Sequence, residues 1–188
     1  MRPLKVISMF DGISCGMVAL ERAGIPVEIY QAWEIEPSAI KISQANYPNI
    51  IQNGDVFKTD FTQFQNYDLV MGGFPCTTFS QAKNWKAKLK KETSINEGIG
   101  WQLFIQCVRC LKEAKPTYFL FENNYRISKE IEEAISQELG VQPILIDSSL
   151  VSAQRRKRLY WTNIPNVTQP EDLGILLRHI YQPDSSLV

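Results

Sequence analysis

Short apolar runs alternate with amphipathic stretches along the chain. The apolar runs are rich in β-branched and aromatic residues, which is typical of strands. They predict strands over residues 6–10, 27–33, 67–71, 118–121, 143–146 and 159–162, with a shorter one at 50–51. The stretches between them have helical periodicity and predict helices over residues 14–23, 37–46, 99–114 and 128–139. Gly24 and Gly140 stand where a helix C-terminal cap is expected.

Strands that alternate with helices indicate βαβ units and a parallel sheet. The pattern therefore predicts an α/β fold with a doubly wound, Rossmann-like sheet. The last two strands are separated by about a dozen residues without a helical pattern, which predicts an antiparallel hairpin at the sheet edge. A chain of 188 residues is long enough for a single domain with a full core, and we treat residues 1–188 as one lobe.

Polar residues follow four of the predicted strands, at the edge where doubly wound sheets bind ligands. These segments are residues 11–14, 34–36, 72–76 and 122–124. The glycine turn after the first strand indicates either a ligand that approaches the backbone or a plain turn. Glu34 is placed to accept hydrogen bonds from ribose hydroxyls or to complement a helix dipole. Asp55 is a candidate acceptor for an adenine amino group, or an ordinary turn aspartate.

Cys76 and Glu122 are the candidates for covalent and acid–base chemistry. Cys76 follows Gly72-Gly73-Phe74-Pro75 on a turn where nearby amides and cations can lower the pKa of a thiol. Glu122 ends a very apolar strand, so partial desolvation should raise its pKa and suit it to donate a proton. The structural alternatives are a buried thiol for Cys76 and a helix cap or an arginine-paired acid for Glu122.

The composition limits the kinds of function and binding site that the chain can have. Lys and Arg number 20 and so do Asp and Glu, which excludes a protein that holds nucleic acid by bulk charge. The single histidine, His179, disfavours a histidine metal site or a Ser-His-Asp triad. Without an export signal the four cysteines are expected to be reduced thiols in the cytoplasm. Cys107 and Cys110 fall inside a predicted helix, where they are expected to pack as small apolar groups rather than bind metal. No apolar run is long enough to span a membrane.

Two basic clusters fit contacts with a phosphate backbone. Residues 83–91 carry five lysines around Trp85 without an acid, and residues 155–158 are all basic. Each cluster could equally be a solvated face.

Six motifs occur in one order along the chain. They are Phe10-Asp11-Gly12-Ile13, Trp33-Glu34-Ile35, Gly54-Asp55-Val56, Phe74-Pro75-Cys76, Phe121-Glu122-Asn123 and Gln154-Arg155-Arg156-Lys157-Arg158. This series resembles the motifs of cytosine-5 DNA methyltransferases, and its details are most similar to the Dnmt3-like branch and its phage or bacterial relatives. The resemblance runs from about residue 5 to about residue 166.

The resemblance implies a role for each motif. Cys76 would attack C6 of a flipped cytosine, Glu122 would protonate N3, and Arg158 with Arg156 would contact the base and its backbone. S-adenosylmethionine would be the cofactor, with the ribose on Glu34. Its other implied contacts are Phe10, Asp11, Gly12, Ile13, Ile35, Asp55, Val56 and Pro75. The implied contacts with double-stranded DNA are Ser80, Lys83, Trp85, Lys86 and Arg155.

The chain departs from the family pattern in places. Ser14 and Cys15 stand where many relatives have glycine, and Asn124 stands where valine is usual. The target-recognition region and the final Gly-Asn motif of the family are not found before Val188. We therefore expect a catalytic lobe, cytoplasmic and of bacterial or phage origin, that needs a second polypeptide or self-associates. The alternatives are a regulatory module that has lost activity, or methylation of cytosine in RNA.

Overall fold

The computed structural model describes residues 2–75 and 98–180. The strands are β1 (Leu4–Met9), β2 (Val27–Trp33), β3 (Ile51–Gln52), β4 (Leu69–Gly73), β5 (Tyr118–Asn124), β6 (Ile144–Asp147) and β7 (Lys157–Thr162). The helices are α1 (Cys15–Arg22), α2 (Pro37–Asn46), α3 (Ile99–Ala114), α4 (Lys129–Leu139) and the short α5 (Leu177–Ile180). Single 3₁₀ turns cover Val56–Lys58, Phe61–Phe64 and Ser148–Leu150.

The strands form one sheet in the order β3-β2-β1-β4-β5-β7-β6. The pairs from β3 to β5 are parallel, whereas β7 runs antiparallel between β5 and β6. The prediction of a doubly wound, mostly parallel sheet with an antiparallel edge hairpin is therefore confirmed. The chain order reverses beside β1, which is the switch point where such sheets bind ligands.

Local sequence signals account for the helix boundaries. The Ser128 side chain accepts a hydrogen bond from the N–H of Ile131 and begins α4, and Gly140 ends it at a φ of 70°. Pro37 occupies the first turn of α2, where the missing N–H costs nothing, and the Glu36 side chain caps the same turn. The four longer helices match the predicted ranges to within two residues at each end.

Two apolar clusters cover the two faces of the sheet. The larger contains Trp33, Phe61 and Trp161, all essentially inaccessible to solvent, and α3 contributes Phe104. The smaller cluster packs α1 through Leu20 against β1, β2 and β4. The strands are thus held rigidly from both sides, so their carboxyl ends form a fixed platform for the loops that follow them.

Cys107 and Cys110 lie on α3 with no accessible surface, as the helical pattern predicted. Burial raises the pKa of both thiols. Over residues 2–75 and 98–180 there is no group of three or more His, Cys, Asp or Glu side chains that could hold a metal ion. Within the same ranges no helix has the length and hydrophobicity to cross a membrane.

Candidate functional site

The carboxyl ends of β2, β1, β4 and β5 bring the polar segments together. Met9 at the end of β1 is paired with Trp33 of β2 on one side and with Gly72 of β4 on the other. Gly73 of β4 is paired in turn with Glu122 of β5. The segments at the ends of these strands therefore lie along one edge of the sheet. Residues 122–124, which were predicted to follow their strand, instead form the end of β5, because the antiparallel pairing with β7 extends the strand to Asn124.

The loop after β1 is held in an unusual backbone conformation. Phe10, Gly12 and Ser14 all have positive φ, at 55°, 60° and 65°. The Asp11 carboxylate lies beneath the loop and accepts hydrogen bonds from Ser8 Oγ at 2.6 Å, Ser14 Oγ at 2.5 Å and Tyr30 Oη at 2.7 Å. These three buried hydroxyls stabilise a left-handed conformation that costs a non-glycine residue free energy.

Asp11 thus acts within the protein through its side chain and leaves the loop backbone to face the site. Its assignment as a cofactor contact stays a prediction. Ser14, which replaces a glycine common in the resembling family, also bonds Ser43 Oγ at 2.6 Å. That buried bond explains how a serine is accommodated at a positive φ.

Glu34 joins the loop after β1 to the loop after β2. Its Oε2 accepts from the N–H of Gly12 at 2.8 Å. Its Oε1 accepts from the N–H groups of Ile35 at 2.8 Å and Glu36 at 2.9 Å. Three backbone donors hold the carboxylate at the edge of the site in a single orientation.

A mostly apolar cavity of about 330 Å³ opens beside Glu34. Phe10, Ile35, Asp55, Val56 and Pro75, all predicted to bind cofactor, line it together with Glu34. The Asp55 carboxylate accepts from the N–H of Phe57 at 2.9 Å. An apolar slot with carboxylates at its margin suits a heterocycle joined to a hydroxylated sugar.

The cavity also contains residues that sequence reasoning missed. Trp33, Phe57, Ile99 and Leu103 complete its walls. Phe57 and Ile99 are about half exposed, and the periodicity that identifies apolar faces cannot separate a cavity wall from the core. The Trp33-Glu34-Ile35 motif was an available signal for Trp33, whereas nothing in the sequence distinguished Phe57 and Leu103.

Glu122 is the acid of the site. Its side chain is about one third exposed, and its Oε1 lies 2.5 Å from Arg158 Nε. Burial raises the pKa of Glu122, while the charges of Arg158 and Arg156 act in the opposite direction without cancelling the rise. Gly73 faces it so closely that a Cβ there would lie 3.0 Å from Glu122 Oε2. A side chain at Gly73 would therefore crowd the carboxylate of Glu122.

Asn123 is another residue that sequence reasoning missed. It is buried, its Nδ2 donates to the carbonyl of Phe74 at 3.2 Å, and its Oδ1 accepts from the N–H of Asn124 at 2.7 Å. It therefore ties the end of β5 to the Phe74–Pro75 segment that leads to Cys76. Its position directly after the acid was the available signal.

The basic segment after β6 approaches Glu122 from the far side. Arg158 pairs with Asn124 across the β5–β7 ladder. Arg155 Nε lies 3.5 Å from Asp147 Oδ2, and the Arg156 N–H donates to Asp147 at 3.0 Å. The predicted residues Cys76, Ser80, Lys83, Trp85 and Lys86 lie outside the described residues.

The sequence also matches the model of a known protein family. The family model for C-5 cytosine-specific DNA methylases matches residues 4–185. The chain belongs to this family. Members of the C-5 cytosine-specific DNA methylase family use S-adenosylmethionine as the methyl donor.

Curated relatives come from phages and bacteria. The chain is 36% identical over 125 residues to the orphan methyltransferase M.SPRI of Bacillus phage SPR, covering 65% of this chain and 27% of the relative. It is 28% identical over 144 residues to the type II methyltransferase M.NgoBV of Neisseria gonorrhoeae, covering 74% of this chain and 32% of the relative. The chain therefore spans about a quarter to a third of the length of these relatives.

Solved structures agree with the fold. A putative DNA modification methyltransferase encoded within an Escherichia coli prophage superposes with a TM-score of 0.63 at 25% identity. That match covers 85% of this chain and 46% of the other. The Dnmt2 methyltransferase of Schizosaccharomyces pombe shares the fold alone, with a TM-score of 0.58, 21% identity, and coverage of 88% and 51%.

The cavity beside Glu34 fits the methyl donor of the family. Its apolar walls suit an adenine ring, and the fixed carboxylate of Glu34 offers lone pairs to ribose hydroxyls. The described residues therefore fit the adenine and ribose of S-adenosylmethionine.

Proposed function

We propose that this chain is the catalytic lobe of a DNA cytosine-5 methyltransferase that acts on a flipped cytosine through a covalent Cys76 adduct. One observation carries the proposal: a half-buried acid, Glu122, is held by Arg158 on the same sheet edge as the cavity beside Glu34. The acid and a donor site therefore share one edge, which a methyl transfer requires.

Glu122 is the residue that makes the base electrophilic. Because burial raises its pKa, a proton is retained more readily than on an exposed glutamate and can be given to N3 of cytosine. As N3 accepts that proton, the carboxylate becomes anionic and Arg158 stabilises the new charge.

Cys76 supplies the covalent step. Its thiolate forms a bond to C6, and the electron pair of the C5–C6 double bond becomes available at C5. S-adenosylmethionine, when bound, would supply the methyl group for C5, and its sulfur would leave as the neutral thioether. A base then removes the C5 proton, the C6–S bond breaks to regenerate the thiolate of Cys76, and the N3 proton returns to Glu122.

Several described residues hold the groups for this chemistry. Glu34 would bind the ribose, and Phe10, Gly12, Ile13, Ile35, Asp55, Val56 and Pro75 would surround the rest of the donor. Asn123 would orient the Phe74–Pro75 backbone that carries Cys76 into the site. Arg155 and Arg156, both exposed, would meet the substrate backbone.

A methyl-transfer assay tests the proposal. Labelled methyl should pass from S-adenosylmethionine to mixed-sequence DNA, and Cys76→Ala should abolish the transfer while Cys15→Ala, at the exposed first residue of α1, retains it. Label in tRNA but not in DNA would instead establish RNA methylation. Donor binding without transfer to either substrate, in a folded chain, would establish a regulatory module.

Partners form a separate part of the proposal. Exposed leucines and isoleucine near α5, namely Leu173, Leu176, Leu177 and Ile180, support docking of a second polypeptide or self-association. Light scattering at increasing concentration checks self-association. A transfer assay repeated with a polypeptide that carries a target-recognition region checks the second subunit. A chain that is monomeric at every concentration and fully active alone would contradict both.

A further inference from the structure

A cationic cleft lies next to Glu122 and extends beyond the residues assigned to catalysis and donor binding. The turn that follows β5 forms one side and residues 154–158 form the other, enclosing about 560 Å³. The cations that line it are Arg126, Arg155, Arg156, Lys157 and Arg158, and no carboxylate of the described residues lines it. A positive cleft of this size concentrates anions from solution.

Only part of this positive charge is neutralised within the protein. Arg158 is paired with Glu122, and Arg155 faces Asp147. Arg126 and Lys157 form no ion pair with any residue in 2–75 or 98–180. They are therefore the cations of the cleft that remain available to an external anion, besides Arg156.

The Tyr125 ring lies close to both of these cations. The Arg126 guanidinium carbon lies 5.5 Å from the centre of the Tyr125 ring, and Lys157 Nζ lies 5.8 Å from the same point. Arg126 Nε also donates to Tyr125 Oη at 3.1 Å. The ring therefore contacts both cations, and neither of them is neutralised by a carboxylate, so both can bind an external anion in the cleft.

Asn124 builds the turn that places Arg126. Its Oδ1 accepts from the N–H of Arg126 at 3.1 Å, while its own N–H donates to the buried Asn123. This side chain-to-backbone bond fixes the turn directly after the strand. The residue that departs from the valine usual in the resembling family is thus the one that directs Arg126 toward the cleft.

We propose that this cleft binds a phosphodiester group of the strand that carries the reacting base. Arg126 and Lys157 are the phosphate ligands, Tyr125 spaces them, and Asn124 positions Arg126. Asn124 is two residues beyond Glu122 on β5, about 7 Å along the strand, so the phosphate bound here belongs close to the flipped nucleotide. The assignment rests on the proposed function, because it takes the polynucleotide of that reaction as its ligand.

The salt dependence of binding separates phosphate contacts from other effects. Each lost phosphate contact lowers the slope of log affinity against log salt by about 0.9. The affinity lost between about 50 and 200 mM salt should therefore shrink by about threefold for each contact removed. A purely structural defect lowers affinity without this change in slope.

The experiment compares Arg126→Gln, Lys157→Gln and their combination with Arg22→Gln. Arg22 is an exposed arginine at the end of α1, which returns to the opposite edge of the sheet, so it is a matched control. Binding to a short fluorescent duplex of mixed sequence is measured by anisotropy over a salt series. Each single cleft variant should weaken binding, and the double variant, which removes both ligands of the bound phosphate, should lower the slope by about one, while Arg22→Gln matches wild type.

Two results would overturn the assignment. If wild type binds DNA but the cleft variants show the same affinity and salt dependence as Arg22→Gln, the cleft is not part of the DNA interface. That result would leave the proposed methyl transfer intact. Wild type that binds no duplex even in low salt would remove the cleft as a phosphodiester site, whatever the separate methyl-transfer assay gives. Thermal melting confirms that each variant is folded.

Discussion

Arg158 contacts Glu122 from the neighbouring antiparallel strand, with 2.5 Å between Nε and Oε1. The contact exists because β7 lies next to β5 and pairs Arg158 with Asn124, two residues from the acid along β5. Burial and an arginine therefore act on the same carboxyl in opposite directions. Since burial dominates, the pKa of Glu122 is raised, and the arginine limits the rise.

Removing the arginine should raise the pKa of Glu122 further. In Arg158→Gln we expect the carboxyl carbon of Glu122, followed by NMR of labelled glutamate, to titrate at higher pH than in wild type. A folded-state pKa above the unfolded value means that stability from this group is present at low pH and is lost as pH rises through the folded pKa. The free energy of unfolding of Arg158→Gln should therefore decline over a wider pH range above the ordinary glutamate pKa. Glu122→Gln, which cannot titrate, should lack this decline, and an unchanged or lower midpoint in Arg158→Gln would contradict the argument.

Neighbouring glycines of β4 should respond differently to alanine. A Cβ at Gly72 would lie 2.4 Å from the carbonyl oxygen of Met9, whereas one at Gly73 would lie 3.0 Å from the movable Glu122 Oε2. Gly72→Ala should lose several kcal/mol of unfolding free energy because backbone in a central strand cannot move aside. Gly73→Ala should stay folded but lose methyl transfer, because the carboxylate is displaced. Urea denaturation and the transfer assay compare the two, and equal stability would refute the distinction.

The Glu34 carboxylate should matter to both the loop and the donor. In Glu34→Gln the amide group faces backbone N–H donors, so one or more of the three bonds to Gly12, Ile35 and Glu36 is lost. We expect a loss of about 1–2 kcal/mol in unfolding free energy. S-adenosylmethionine binding, measured by calorimetry, should weaken at least tenfold. Glu36→Gln, a nearby exposed acid outside the cavity lining, is the control and should retain wild-type binding.

Tyr30 should stabilise the loop after β1 from below. Tyr30→Phe removes one of three hydroxyl donors to the buried Asp11 carboxylate and leaves the ring in place. A hydrogen bond to a charged group is worth about 1.5–3 kcal/mol, so unfolding free energy should fall by a similar amount. Tyr47→Phe removes an exposed hydroxyl that bonds Glu21 and should cost far less. Similar losses in the two variants would contradict a special role for the buried network.

Thiol labelling should separate the cysteines of α3 from the exposed one. Burial raises the pKa of Cys107 and of Cys110, so the reactive thiolate is scarce at neutral pH and the sulfur is inaccessible. In the native protein Cys15 should react with an alkylating reagent, while Cys107 and Cys110 react only after denaturation. Peptide mass spectrometry reads the sites. Labelling of Cys107 as fast as Cys15 would contradict the buried packing of α3.

Much of the fold could be predicted because hydrophobic periodicity is a local property. The predicted strand over residues 27–33 and the predicted helices over residues 37–46 and 99–114 appear with the same bounds. The first strand ends one residue before the prediction, because Phe10 already has the positive φ of the loop. The fourth begins at Leu69 rather than Tyr67, since Asp68 turns its carboxylate to the guanidinium of Arg2 and to the N–H of Lys5.

The order of polar segments along the chain was enough to predict that Glu34, Asp55 and Glu122 lie along one edge, whereas only the family resemblance linked the arginines of residues 155–158 to the site. The sequence also established the chemical type of each of those residues and, through the family resemblance, the reaction for which they are suited. Their partners could not be predicted in this way, because a hydrogen bond depends on register and on side chains far apart in sequence. Only the tertiary structure turned the Asp11 carboxylate inward onto Tyr30, seated Glu122 against Gly73, and set Arg126 and Lys157 around one tyrosine ring. Hydrophobic periodicity indicates on which face of a helix or strand a residue lies. Contacts between strands depend instead on the order and register of all the strands in the sheet.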